Sequence, residues 1–430
     1  MPETIVSCLS LPIACDIMDF IDSIRWAMKT IVIIGGGASG MMAAITASQE
    51  HANHVILLER QSRIGRKLLS TGNGRCNLTN IHAGRDHYHG ADTGFILPAM
   101  EKFGVDRTLE FFRGLGLITT IEQDGRVYPL SNHAASVLDV LRFALERDNI
   151  ELFTDRAVLS LRKQGGKFLI DTNNRSIQAD HVVITCGGAA GSDLGGVMDG
   201  YELLEMMGHK RTAINPSLVQ INTDTAYPKA LKGVKADASV SVIFGERVMI
   251  AYRGEVLFTD FGVSGPAIFE ISRTVSTGGK GLSISLDLLA DYSEEDITGM
   301  LTHRCETAPK IPANQILTGA LQNRLGQMVC KYTGVSGGIN CAQLTFNELH
   351  AIAYAAKHFM LGIEGTAGFE CAQVTAGGMS TSEFDPKTME SRIVPGLFAC
   401  GEVLDIDGDC GGYNLQWAWS SGHLAGELGK

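Results

Sequence analysis

The segment Gly35-Gly36-Gly37-Ala38-Ser39-Gly40 satisfies the GxGxxG spacing directly after an apolar, β-branched run, Ile31 to Ile34. Each glycine has a separate physical task in such a loop. Gly35 permits a tight turn, Gly37 lets a pyrophosphate approach the backbone, and Gly40 lets the following helix pack closely on the strand. Ala38 and Ser39 open that helix, whose first N–H groups and positive dipole end suit phosphate oxygens. A second buried run, Val55 to Leu58, ends at Glu59 and Arg60. There the Glu59 carboxylate is placed to accept both hydroxyls of an adenosine ribose. Strand, glycines, helix, strand and acid in that order predict dinucleotide binding, against a purely structural glycine turn. They do not separate NAD from FAD.

Two further segments make that separation. Arg63-Ile64-Gly65-Arg66-Lys67 follows the acid closely and brings cations toward the expected pyrophosphate; a solvated basic loop is the plainer alternative. Next comes Ser70-Thr71-Gly72-Asn73-Gly74-Arg75-Cys76-Asn77-Leu78-Thr79-Asn80, too polar and glycine-rich for a core element. Asn73, Gly74, Cys76 and Asn77 are expected along the edge of an isoalloxazine ring, with Cys76 either structural or touching the flavin. The second segment is Pro395 to Glu402, a strand ending in Gly401-Glu402, followed by Asp405, Gly411, Gly412 and the helix opening Tyr413-Asn414-Leu415-Gln416. An extended cofactor such as FAD needs a remote strand end for its ribityl chain. It also needs a helix N-terminus near the flavin O2, where negative charge gathers on reduction. The predicted cofactor is therefore FAD. Thr185-Cys186-Gly187-Gly188 closes another buried strand, and Gly187 is expected beside the cofactor.

Several residues invite chemistry that their setting does not support. Asp405, Asp407 and Asp409 lack the spacing and closing Glu of an EF-hand. His82, His87 and His89 cluster, but a mobile polar loop is expected there rather than a metal site. Tyr413 is a candidate proton donor near the flavin, with structural packing of its ring the equal alternative.

The elements that must position these residues are those of an α/β protein. A chain of 430 residues exceeds one small core and predicts several domains. Residues 1–27 are moderately apolar and acidic, without the basic start of a signal peptide, and read as a leader or over-extended start. Residues 28–195 form the first part of a dinucleotide domain. The helix Asn132 to Arg147 lies within it. Ile150 to Phe153, Ala157 to Leu161 and Phe168 to Asp171 are expected to form a small meander. Residues 196–292 carry short strands (Leu218 to Ile221, Ala238 to Phe244, Val248 to Tyr252, Val256 to Phe258 and Leu282 to Leu286) that suggest an antiparallel β unit. Residues 293–365 read as helical, and 366–430 complete the dinucleotide domain.

Composition sets the outer limits. A net charge of −11 argues against a general nucleic-acid binder, which needs a basic footprint. Ten scattered cysteines without a CxxC pair suit reduced thiols in the cytoplasm. No apolar run reaches the ~18–20 residues of a membrane span.

At these residues the sequence resembles a bacterial FAD-dependent oxidoreductase family, which contains the aminoacetone-oxidase-like flavoproteins and the bile-acid-inducible 3-dehydro-bile acid delta-4,6-reductase. The resemblance runs from about Lys29 to Lys430. It rests on Gly35–Gly40, Gly65–Lys67, Thr71–Asn80, Phe258-Thr259-Asp260-Phe261-Gly262-Val263-Ser264-Gly265-Pro266, Val374-Thr375-Ala376-Gly377-Gly378 and Gly401–Gln416. It implies FAD contacts at Ser39, Glu59, Arg66, Lys67, Val158, Glu402, Asp405, Asn414 and Leu415. It also implies a Rossmann-like FAD-binding domain interrupted by a β-barrel-like unit and a helical unit. Many members carry His where Asp260 stands, so no role of that imidazole transfers.

The implied activity is an FAD-dependent reductase of an activated C=C bond, with a steroid or bile-acid enone as substrate by resemblance alone. No second GxGxxG is present, so NAD(P)H is expected as a transient co-substrate. An amine or aminoketone oxidase using dioxygen, and a non-enzymatic flavin-dependent sensor or assembly factor, are the alternatives.

Overall fold

In the computed structural model, residues 28–335 and 337–430 are described; the leader expected at 1–27 lies outside them. Ile31, Val32 and Ile33 are fully buried, as a strand covered on both faces requires. The strand Lys29–Ile34 is the middle of a five-stranded parallel sheet in the order Leu397–Ala399, His181–Ile184, Lys29–Ile34, Asn53–Leu58, Ile150–Phe153. Because all strands run the same way, the turns after Ile34, Leu58, Ile184 and Ala399 gather at one carboxyl edge. The Rossmann-type domain is thus split along the chain and rejoined in space. Its C-terminal helix, Tyr413–Gly426, lies against the glycine-loop helix Ala38–Ala47. A Cβ on Gly422 would stand 2.5 Å from the Ser39 carbonyl oxygen, and one on Gly426 2.6 Å from that of Ala43.

The insertion is a closed barrel of six strands, running in space Ile221–Thr223, Gly262–Ser264, Arg247–Phe258, Lys235–Phe244, Leu282–Asp287 and Phe359–Thr366. Helices Glu294–Thr307, Asn323–Tyr332 and Phe346–Lys357 leave the barrel after its fifth strand in sequence and return to its last. Their apolar faces share one core with the barrel, Ile297, Leu325 and Ile352 joining Val256, Ile284 and Leu361. Two chain crossings link this body to the Rossmann domain, paired as a short antiparallel ladder of Asn215–Ser217 with Val374–Ala376.

The structure differs from expectation in several elements. Ile150–Phe153 extends the parallel sheet, and the meander takes Ser176–Ala179 as its third strand instead. Leu218 has φ of +51°, so that segment bends and the barrel strand starts at Ile221. Val248 to Tyr252 and Val256 to Phe258 are one strand, because Gly254 keeps its pairing with Ala238 across the polar interval. Phe359–Thr366, expected among the helices, pairs with Leu282–Asp287 and Ile221–Thr223 and closes the barrel. Arg66 to Ser70, expected as loop, is a helical turn that breaks at Thr71 to Asn73.

Candidate functional site

One cavity of about 700 Å³ runs from the glycine loop to the contact between the Rossmann domain and the barrel. Of the residues expected to hold a cofactor, Gly35, Gly37, Ala38, Ser39, Glu59, Arg60, Arg66, Lys67, Asn73, Asn77, Val158, Gly187, Glu402, Gly412, Asn414 and Leu415 line it. Gly40 does not, for a steric reason: a Cβ there would stand 1.9 Å from the Gly35 carbonyl oxygen, so it serves helix–strand packing. A Cβ on Gly37 or Gly187, by contrast, would meet no atom of the chain within 4 Å. Those two backbones are open to a ligand.

At this end the Glu59 carboxylate accepts the Gly36 N–H at 2.8 Å through one oxygen and the Gln61 N–H at 2.7 Å through the other. The acid therefore fixes the loop while leaving lone pairs for ribose hydroxyls. The cations are less free than the sequence suggests. Arg66 donates to the Gln61 side chain at 2.7 Å and the Asp193 carbonyl at 3.1 Å, and Arg60 donates to Asp199 at 2.7 Å. Lys67 is ion-paired to Glu402 at 2.7 Å, and the other Glu402 oxygen accepts the Thr375 N–H at 2.9 Å.

Further along, the first turn of the C-terminal helix meets the cavity through Gly412, Asn414 and Leu415. The Asn414 side chain accepts the Gly408 N–H and donates to its carbonyl, both at 2.8 Å, so its amide is occupied in shaping the loop. Asn77 Oδ1 is a buried acceptor with no partner among the described residues. An orphaned acceptor, two open glycine backbones and a helix start on one cavity fit a dinucleotide-type cofactor.

Gly74, Cys76, Gly401, Asp405 and Tyr413, also expected at the cofactor, do not line the cavity. Cys76 is fully buried at a left-handed φ of +61°, and burial pushes its thiol up to about 12. Gly401 bonds inward, its carbonyl accepting the Trp417 indole N–H at 3.1 Å. Asp405 is buried, which raises its carboxyl, and it accepts the Ala91 N–H at 3.3 Å. Tyr413 stacks on His87 with centroids 4.2 Å apart, and burial followed by Asp409 pushes its phenol up to about 12. Asp260 sits on an exposed turn of the barrel paired with Lys232, away from the cavity.

The far end is built where the two bodies touch. Helix Pro266–Thr277 presents Pro266 and Phe269 to the cavity, and Arg273, on the same face, pairs with buried Asp407 at 2.9 Å. Asp409 lines the cavity and joins His87 at 3.0 Å and His89 at 2.7 Å. These histidines, expected in a mobile loop, are thus fixed in an ordered cluster. Burial raises Asp409, but the bonds from His89 and His87 outweigh it and hold the carboxyl below its ordinary value. Glu270 shows the opposite behaviour. Burial, then the charge of Asp409, pushes it up to about 7, against the pull of the Cys410 N–H, Arg126 and His89. Two neighbouring carboxyls with pKa values driven apart are a pattern of functional sites. Arg126 and Tyr128 line the cavity here, and Arg75 lies 3.9 Å over the Tyr128 ring. The sequence reading missed Arg126, Tyr128 and Glu270, which belong to no local motif.

Among the described residues, no group of acidic, His or Cys side chains is arranged to hold a metal ion, and no helix is long and apolar enough to cross a membrane. Compared with known proteins, residues 29–428 match the model of the HI0933-like protein Rossmann domain. The chain is 38% identical over 403 residues to the 3-dehydro-bile acid delta(4,6)-reductase of Clostridium scindens, covering 93% of this chain and 98% of that protein. It is 30% identical over 390 residues to the ribosomal RNA dihydrouridine synthase of Escherichia coli, covering 91% and 95%.

Proposed function

The chain belongs to the HI0933-like Rossmann family of FAD-dependent oxidoreductases, and from that premise we propose that it is an NAD(P)H-linked reductase of a C=C bond conjugated to a carbonyl. The observation that carries this reading is one continuous cavity, with a dinucleotide cradle at one end and, at the other, an apolar wall from the second folded body facing polar residues of the Rossmann side. The names of the two relatives share one chemical act, saturation of a double bond next to a carbonyl. Greater identity to the bile-acid enzyme, together with the net charge of −11, favours a small steroid-like enone over an RNA.

Gly37, Ala38 and Ser39 would receive the pyrophosphate, Glu59 the ribose, and the helix start at Gly412 to Leu415 the pyrimidine edge of the flavin ring. FAD held there supplies hydride transfer, with a nicotinamide arriving transiently as the reductant. The chain supplies orientation and a fixed electrostatic field. Phe269 and Leu218 offer an apolar face to the substrate, and Arg126 and Asp409 a polar one.

The test is anaerobic nicotinamide oxidation by the FAD-loaded protein with a 4-en-3-one or 4,6-dien-3-one steroid. Product mass should rise by two hydrogens for each double bond reduced. Hydrogen addition to uridine of ribosomal RNA, without steroid turnover, would assign the RNA substrate instead. Peroxide formed from an amine in air would assign the oxidase, and bound flavin inert toward all three a binding role.

A further inference from the structure

We propose that Arg126 is the receptor for the carbonyl oxygen of the substrate, and that Glu270, across the interface and not ion-paired to it, is the positioning residue that keeps its guanidinium free. This deepens the reductase reading and rests on it. Arg126 is half-buried and lines the cavity, yet its guanidinium makes no hydrogen bond or ion pair among the described residues. Most other cations on the cavity wall are engaged: Arg60, Arg66, Lys67 and Arg75 all have side-chain partners. A half-buried guanidinium with unfilled donors is a ready site for an oxygen that gains negative charge.

Its strand, Arg126–Pro129, fixes the position by pairing with Thr79–Asn80 on one side and Thr119–Ile121 on the other. Across the interface stands Glu270, one residue beyond cavity-lining Phe269 on the same helix. As a carboxylate, Glu270 would capture Arg126 and fill its donors. As a neutral acid it leaves them for the substrate. Burial and Asp409 favour the neutral form, and the absence of a Glu270–Arg126 ion pair among the described residues agrees with it. The other groups facing Glu270 are Asp409, Cys410, Tyr413, His89 and Tyr252.

In the reaction, hydride originating from the nicotinamide adds to the β-carbon. The π electrons move through the α-carbon onto the carbonyl oxygen, which the Arg126 N–H groups receive. A proton from solvent at the α-carbon then completes the saturated ketone. One nicotinamide is oxidised for each double bond reduced.

Two measurements test this on the FAD-loaded protein. The first needs no turnover: benzoate, a flat anion, is titrated against the visible flavin spectrum across neutral pH. R126A should weaken benzoate at least about tenfold, with R126K recovering part of the loss, as expected for one charge-assisted contact. E270Q should match the wild type on the acid side and bind about tenfold more tightly than it on the alkaline side. Unchanged affinity in R126A, or coincident pH profiles for E270Q and wild type, would overturn the assignment. The second is steroid enone reduction, where R126A should lose roughly 100-fold in kcat/KM with flavin content intact. A wild type inert toward enones, but binding benzoate through Arg126, would reject the substrate reading and leave the receptor role standing.

Discussion

The two ends of the cavity are built by different means. The glycine-loop end is centred on one continuous stretch, Gly35 to Glu59, and rests on backbone geometry and the Glu59 carboxylate. The interface end draws on His87 and His89, Arg126 and Tyr128, Phe269 and Glu270, and Asp409 and Cys410, from opposite parts of the chain. The first end can be copied between proteins as a unit, because its function depends on spacing alone. The second can change one residue at a time, because only the packing of two bodies brings its residues together. The former suits any dinucleotide, and on the proposed reading substrate choice belongs to the latter.

Substitutions at the two ends should therefore fail differently. The largest effect is expected from Gly40→Ala, whose Cβ collides with the Gly35 carbonyl. Purified protein should lack the flavin absorbance near ~450 nm, at a cost in stability of more than ~3 kcal/mol. A yellow, fully loaded variant would contradict the assigned packing role. Arg273→Ala comes next, because it strands buried Asp407 without its cation. Denaturant titration should show a loss of about 3 kcal/mol. Proteolysis should open the junction between the bodies while the glycine loop still binds FAD. Glu59→Gln should weaken FAD about tenfold, near ~1.5 kcal/mol for bonds to a charged acceptor, without altering substrate discrimination. Isothermal titration of the apoprotein gives that number directly. Cys76→Ala should be the mildest, costing about 1 kcal/mol of stability and leaving the flavin spectrum unchanged. A shifted spectrum would return Cys76 to the cofactor.

This contrast also explains what the sequence revealed. The Rossmann strands, the glycine loop, Glu59 and the returning Gly401–Gln416 segment were legible because local pattern determines them: apolar runs, turns and helix starts. The three alternating acids Asp405, Asp407 and Asp409 show where local pattern stops. Excluded as a calcium loop, they go separately to the Ala91 backbone, to Arg273 and to two histidines. No spacing rule encodes three tertiary partners. Arg126 and Glu270 are ordinary residues on a short strand and a helix until the barrel docks. The strand Phe359–Thr366 was misplaced for a related reason, since its partners lie before the helical excursion and no nearby segment signals the closure.

The close contact of Ser39 and Ala43 with Gly422 and Gly426 sets a schedule for making this protein. On a ribosome the glycine-loop helix emerges well before the helix that must seat against it, with the whole barrel between them. The barrel and its helices can bury their shared core in the interval, as domains folding in order of synthesis do. The contact between the two helices cannot form until Tyr413–Gly426 is released. Flavin capture is thereby expected only after that helix has emerged, and a chain interrupted before it would carry the dinucleotide motif without the helix that seats against it.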